Sequence, residues 1–185
     1  MIRYIFYILF CSVGLYNLQA QDKAFVSNIA VGPEVQLYPT GILFGMTFYK
    51  ELNEYNYLGI RAGYNFVRHG SAGLHEDERG GGWGGTIGYH RQINIGNSHW
   101  LVGARCDLWR NKIDWTNRVG EPDEVTGISR ITVIQPTVQL AYPFRVTDQF
   151  FLPSISFGSE INIRTEGEEV GEGLILLIGL SYILD

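Results

Sequence analysis

The sequence predicts an all-β fold, an eight-stranded antiparallel up-and-down transmembrane β-barrel. Three observations predict it. Successive stretches of about ten residues alternate apolar and polar side chains, which is the period of a strand with two unlike faces. Their connections alternate in length, short near residues 53, 97 and 147 and longer near 75, 121 and 169. The 185 residues include 23 glycines and 14% aromatics, yet no apolar run of about 18 or more that would make a transmembrane helix. Strands in lipid must leave no edge unpaired, so they close into a ring.

Met1-Ile-Arg3, the apolar stretch Tyr4 to Leu15 and the small residue Ala20 have the order of a secretory signal, so residues 1–20 are expected to be removed and 21–185 to form one barrel domain. After a polar stretch, Ile29 to Tyr38 sends Ile29, Val31, Val35 and Leu37 one way and Glu34 and Gln36 the other. Pro33 removes a ladder hydrogen bond there and predicts a bulge or a shorter strand. Strand two, Ile42 to Lys50, puts Ile42, Phe44, Met46 and Phe48 outward. The clearest strand is Tyr57 to Arg68: Leu58, Ile60, Ala62, Tyr64 and Phe66 face outward, and Gly59, Arg61, Gly63 and Asn65 inward.

A long polar loop is expected over 69–82. Strand four, Trp83 to Ile93, turns Ile87, Tyr89 and Ile93 outward, with Arg91 as an exception. Strand five, Trp100 to about Trp115, turns Val102, Ala104, Cys106 and Leu108 outward and Arg105, Asp107, Trp109 and Asn111 inward. A second loop spans 116–127. Strand six, about Ile128 to Phe144, sets Val138 and Leu140 against Gln135 and Gln139. Strand seven has Phe151, Ile155, Phe157, Ile161 and Ile163 outward and Ser156, Glu160 and Asn162 inward. Pro136 and Pro153 predict two further bulges. After a loop over 165–173, strand eight, Leu174 to Leu184, presents Leu174, Leu176, Ile178, Leu180 and Tyr182 outward.

The inward set predicts a polar lumen network of Glu34, Arg61, Asn65, Arg105, Asp107, Gln135, Gln139, Glu160 and Asn162. Opposite charges in so narrow a space must pair, because an unpaired buried charge is costly. A barrel of this size is filled by side chains, so the lumen is expected to be closed. An aromatic belt is expected at the short-turn end, drawn from Tyr55, Tyr57, Trp100, Tyr142, Phe144, Phe150, Phe151 and Tyr182. A second belt would use Phe66, Trp83, Trp109 and Trp115. A soluble β-sandwich or lipocalin-like periplasmic binder would alternate equally. Against it, the polar face carries small residues and isolated charges of both signs, and lysine is limited to Lys23, Lys50 and Lys112.

The formal charge is −5, and −6 once Arg3 is removed with the signal (13 basic against 19 acidic residues). Nucleic acid is therefore an unsuitable partner. Cys106 is the one cysteine left after cleavage, so no intrachain disulfide forms. Ten of the 19 acidic residues fall in the three long loops, at 76–78, 121–124 and 166–172. That rim would recruit divalent cations bridging to anionic lipopolysaccharide, or repel anionic ligands.

Signal, eight amphipathic strands, alternating connections and an aromatic-flanked last strand together resemble the small outer-membrane β-barrels of OmpA/OmpX type. The resemblance covers the whole mature chain. It departs at the end, Tyr182-Ile-Leu-Asp185, where such barrels usually finish on an aromatic residue. It implies residence in the outer membrane after secretion across the inner one, insertion by the outer-membrane assembly machinery, contact with outer-membrane lipid and lipopolysaccharide, a monomer, and roles from envelope integrity to adhesion. Some similar barrels modify lipid A, and His69-Gly-Ser71 resembles the His-x-Ser spacing of the deacylase. Strand parity, however, turns both side chains inward or into the loop, away from lipid. His75-Glu-Asp-Glu78 has the residue types of a divalent-ion site and reads more simply as a solvated acidic loop. Gly80 to Gly85 lacks the Lys-Ser/Thr ending of a phosphate loop. The expectation is therefore a non-enzymatic protein with no catalytic residues, no metal site and no cofactor, serving as a structural or surface-interaction barrel. A lipid A-modifying enzyme and a narrow channel are the alternatives.

Overall fold

A computed structural model describes residue 25 and residues 28–70, 74–96, 98–146 and 149–184. The expected secretory signal and Ser71 lie outside these residues. The strands are β1 (Ile29–Tyr38), β2 (Gly41–Asn53), β3 (Asn56–Gly70), β4 (Asp77–Ile95) and β5 (Ser98–Asn117). They continue with β6 (Val125–Ala141), the short β7 (Phe144–Val146), β8 (Gln149–Glu166) and β9 (Gly173–Ile183). All pairings are antiparallel. β6 pairs with β8 and β9 returns to β1, which closes a ring. β7 continues β6 after a break at Tyr142-Pro143, because both pair with β8 and the Tyr142 amide donates to the Pro153 carbonyl at 3.0 Å. The ring therefore has eight members, as the alternation predicted.

The expected loop over 69–82 is mostly strand. Residues 77 to 82 pair continuously with β3 and β5, from Gly70↔Asp77 and Asp77↔Thr116 onward. A run of glycines reads as a loop by composition. Here the bare backbones of Gly80 and Gly81, at φ +154° and +150°, pack between neighbouring strands with no room for a Cβ.

The bulges expected at the prolines do not appear, although the ladder hydrogen bond expected to be lost at Pro33 is lost. Pro33, Pro136 and Pro153 all sit in register with one neighbour, opposite Met46, Cys106 and Leu180 respectively. The register shifts fall instead at Glu51/Asn53 and Thr132/Val133. What Pro33 does is interrupt the seam between β1 and β9. Val31 exchanges two hydrogen bonds with Leu184, at 3.1 and 2.9 Å, so by ladder alternation the nitrogen of Pro33 faces β9, where it has no proton to donate. Pairing to β9 resumes at Glu34.

Beside this gap the strands run so close that a Cβ on Gly32 would lie 1.6 Å from the Tyr182 carbonyl oxygen. Gly32→Val is expected to destabilise the barrel by about 1–3 kcal/mol through overpacking at the seam. Gly70→Val, where a Cβ meets only the Glu76 oxygen at 3.5 Å, should leave the urea midpoint of the refolded barrel unchanged. Equal midpoints for the two variants would contradict the close approach.

The outer wall is apolar. Ile42, Phe44, Met46, Phe48, Ile60, Ile87, Leu108, Val138, Phe157 and Ile178 are all exposed on it. A closed ring with such a wall satisfies its backbone internally and offers lipid a continuous greasy surface.

Candidate functional site: a three-tier lumen and its mouth

Strand parity sends a second set of side chains inward, and they sort into three tiers. At the short-turn end Tyr49, Tyr57, Leu101, Phe150, Leu152 and Ile183 form a buried apolar cluster around Phe25. The Phe25 ring meets Tyr49, Tyr57 and Phe150 edge-on at 5.4–5.7 Å, and its amide donates to Tyr57 Oη and Gln92 Oε1, both at 3.1 Å. At the long-hairpin end Leu43, Trp109, Ile113, Ile131, Val133, Val170, Ile175 and Leu177 form the second cluster. A polar lumen was expected; two apolar clusters interrupt it, the second of them sharing its space with Asn65, Glu78, Asn111 and Glu160.

Between them lies an ionic tier. Arg61 bridges Glu34 and Asp107, each at 3.1 Å, and Arg105 reaches the same Glu34 oxygen at 3.0 Å and Asp107 at 3.8 Å. Two guanidiniums and two carboxylates make a formally neutral quartet, with every member buried. Neutral groups complete it. Arg61 also donates to Gln36 Oε1 at 2.7 Å and Thr86 Oγ1 at 3.0 Å, and Thr47 Oγ1 donates to Glu34. His90 contacts Gln139 Oε1 at 2.9 Å. One level outward the Arg61 guanidinium lies over the Trp109 ring, 5.4 Å from its centroid, and Trp109 Nε1 donates to Gln135 Oε1 at 3.1 Å. Gln135 in turn donates to Glu160.

Of the inward residues named from sequence, Glu34, Arg61, Arg105 and Asp107 meet directly, and Gln135 joins Glu160. Asn65 accepts from Tyr38 Oη at 2.6 Å, nearer the mouth. Asn162 holds the third hairpin through the Val170 carbonyl at 3.0 Å.

The aromatic expectation needs correction. Trp100–Tyr142, Phe144–Phe151 and Phe151–Tyr182 form ring contacts of 4.9, 5.5 and 5.3 Å between half-buried side chains at the short-turn end. Tyr57 and Phe150 are instead buried in the lumen. Tyr57 shares its parity with Gly59 and Arg61, which points it inward. At the other end Tyr64 contacts both Phe66 and Trp83 on the wall, whereas Trp109 and Trp115 are buried inside.

The long β8–β9 hairpin is tied across the mouth. Val170 is buried in the second apolar cluster, His75 Nε2 contacts the Glu169 carbonyl at 3.1 Å, and Ser129 Oγ donates to the Glu168 carbonyl at 2.6 Å. A cavity of about 230 Å³ remains beneath it, lined by His69, Glu78, Asn111 and Glu160 among others. His69 is held by Glu78 at 2.9 Å, on the lumen side and away from lipid. The His75-Glu-Asp-Glu78 group disperses. His75 stacks on Trp115 at 4.3 Å, Glu76 accepts from the Val119 amide, Asp77 pairs with Arg79 at 2.8 Å, and Glu78 turns to His69. Among the described residues no cluster of three or more His, Cys, Asp or Glu is arranged to hold a metal.

No family model matches the chain, and no curated protein matches it either. Solved structures do. Neisserial surface protein A (NspA) aligns over 84% of this chain and 94% of its own, at 11% identity and a TM-score of 0.54. The N-terminal β-barrel domain of Pseudomonas aeruginosa OprF aligns over 84% and 96%, at 14% identity and a TM-score of 0.46. The attachment invasion locus protein Ail of Yersinia pestis aligns over 84% and 96%, at 12% identity and a TM-score of 0.44. With its closed ring and greasy wall, the chain has the fold of the small eight-stranded outer-membrane β-barrels, of which NspA is a solved example.

Proposed function

We propose that the protein is a monomeric, non-enzymatic outer-membrane barrel with a closed lumen, acting as a structural or surface-interaction element through its long hairpins. The observation that carries this reading is the neutral Glu34–Arg61–Asp107–Arg105 quartet, sealed between two apolar clusters. An ion crossing such a lumen would have to displace fixed charges and then enter two greasy tiers, and both steps are costly. The short-turn end, with its aromatic ring contacts, faces the periplasm, and the acidic hairpins face outward, as the general pattern of such barrels has it. Insertion by the outer-membrane assembly machinery follows from the same reading, as do contacts with lipopolysaccharide.

In planar bilayers the purified protein is expected to give no stable conductance steps. Steps whose size changes on Arg61→Gln or Glu160→Gln would sink the closed-lumen reading. A lipid hydrolase is disfavoured by the position of His69, whose ring is held by Glu78 inside the mouth.

A further inference from the structure

The outer wall changes character at one height on three adjacent strands. On β5 the outward series runs Leu108, Arg110, Lys112; on β6 it runs Ile134, Thr132, Arg130; on β8 it passes from Ile161 to Arg164. Arg110, Thr132 and Arg164 are direct register partners, so they form a single row just beyond the apolar wall. Arg130 stands one pleat further out, opposite Lys112.

Arg164 is in this row because of a bulge. On β8 the even positions Glu160 and Asn162 turn into the lumen or its mouth, and an unbroken strand would send Arg164 after them. The register slips between Thr132/Val133, where Thr132 pairs with Arg164 but Val133 with Asn162, leaving Ile163 as the extra residue. Bulges re-aim side chains in this way. The result is that Arg110, Arg130, Thr132, Arg164 and Glu166 surround a cleft of about 100 Å³ on the wall.

The cleft is cationic. Glu166 pairs with Arg164 at 2.6 Å and Asp114 approaches Lys112 at 3.9 Å. Among the described residues no carboxylate lies within ion-pair distance of Arg110 or Arg130. Four cations thus stand against two anions, and Arg130 has Lys112 directly across one ladder and Glu166, already paired with Arg164, across the other.

We propose that Arg110, Arg130 and Arg164 bind a phosphate of an outer-leaflet lipid headgroup. Guanidiniums match phosphate oxygens bidentately, and Thr132 adds a hydroxyl between two of them. The occupant is a lipid because the exposed residues directly below the cleft, Leu108, Ile161 and Ile163, would lie along its acyl chains. The proposal rests on the outer-membrane reading above, and the test separates the two.

The full-length mature protein would be refolded into vesicles, with heat-modifiability on gels reporting insertion. Retention of bisphosphorylated lipid A through detergent exchange would then be measured by native mass spectrometry. The triple variant Arg110→Gln/Arg130→Gln/Arg164→Gln is expected to insert normally and to retain about tenfold less of this lipid. Arg91→Gln, which removes an exposed charge near the short-turn end, should retain it fully. Dephosphorylated lipid A should be retained poorly by the wild type, and inorganic phosphate should not displace the bound lipid. Equal retention by wild type and triple variant would overturn the proposal, as would equal retention of dephosphorylated lipid by the wild type, which needs no variant to fold. Displacement by inorganic phosphate would overturn the lipid as occupant. Failure of the wild type to insert would instead refute the membrane reading.

Discussion

Arg61→Met is expected to lower the unfolding free energy of the refolded barrel by about 3–5 kcal/mol, the cost of breaking a buried ion pair from one side. The loss is large because the arginine serves both carboxylates, Glu34 and Asp107, at 3.1 Å each. Without it Arg105 is left as the sole cation for two buried anions. Adding Glu34→Gln restores a one-to-one balance, so the double variant should regain part of the loss. Urea titration in lipid vesicles, read by tryptophan fluorescence, measures both. A single variant within about 1 kcal/mol of wild type, or a double variant less stable than the single, would show that the quartet does not behave as one unit.

Trp109→Ala should cost a comparable amount, about 3–5 kcal/mol, because a large side chain leaves a fully buried site. Two further interactions go with it: the ring beneath the Arg61 guanidinium, and the indole N–H donated to Gln135. The contrast is Trp83→Ala on the outer wall, 72% exposed, where the loss is of an edge-on contact with Tyr64 and should stay at about 1 kcal/mol. Similar losses at the two positions would mean that Trp109 is not a lumen residue. Because Trp109 and Arg61 touch, their combined loss should also fall short of the sum.

The pair shows what the sequence could tell. Alternation placed Arg61, Arg105, Asp107 and Trp109 inward, because a strand's faces follow parity whatever its partners are. Grouping aromatics by their nearness to strand ends then misassigned Tyr57, Phe150, Trp109 and Trp115. Parity outranks residue type at these positions: Tyr57 shares its parity with Gly59 and Arg61, which points it inward. The quartet itself was legible only as an inventory of charges that had to pair. Arg105 meets Glu34 from 71 positions away, and which strands face each other across a lumen depends on the tilt and stagger of the closed ring, not on any local pattern. Nor could the alternation show the bulge that turns Arg164 outward, since a bulge is itself a fault in alternation. The glycines at 80 to 82 misled for a similar reason: a residue without a side chain serves a loop and a crowded strand equally well.

The seam between β1 and β9 has a consequence for how the ring is made. Every other wall of the barrel is a hairpin between neighbours in sequence, which can zip from its own turn at small entropic cost. The seam instead joins the first and last strands, and it is also the ladder that Pro33 interrupts, paired from Glu34 to Leu37 and at the Val31–Leu184 bridge. Contacts so distant in sequence form late. Ring closure therefore rests on a joint with few ladder hydrogen bonds between the two strands most distant in sequence, and side chains that meet across the lumen, such as Arg105 and Glu34, brace the ring where its backbone ladder is sparse.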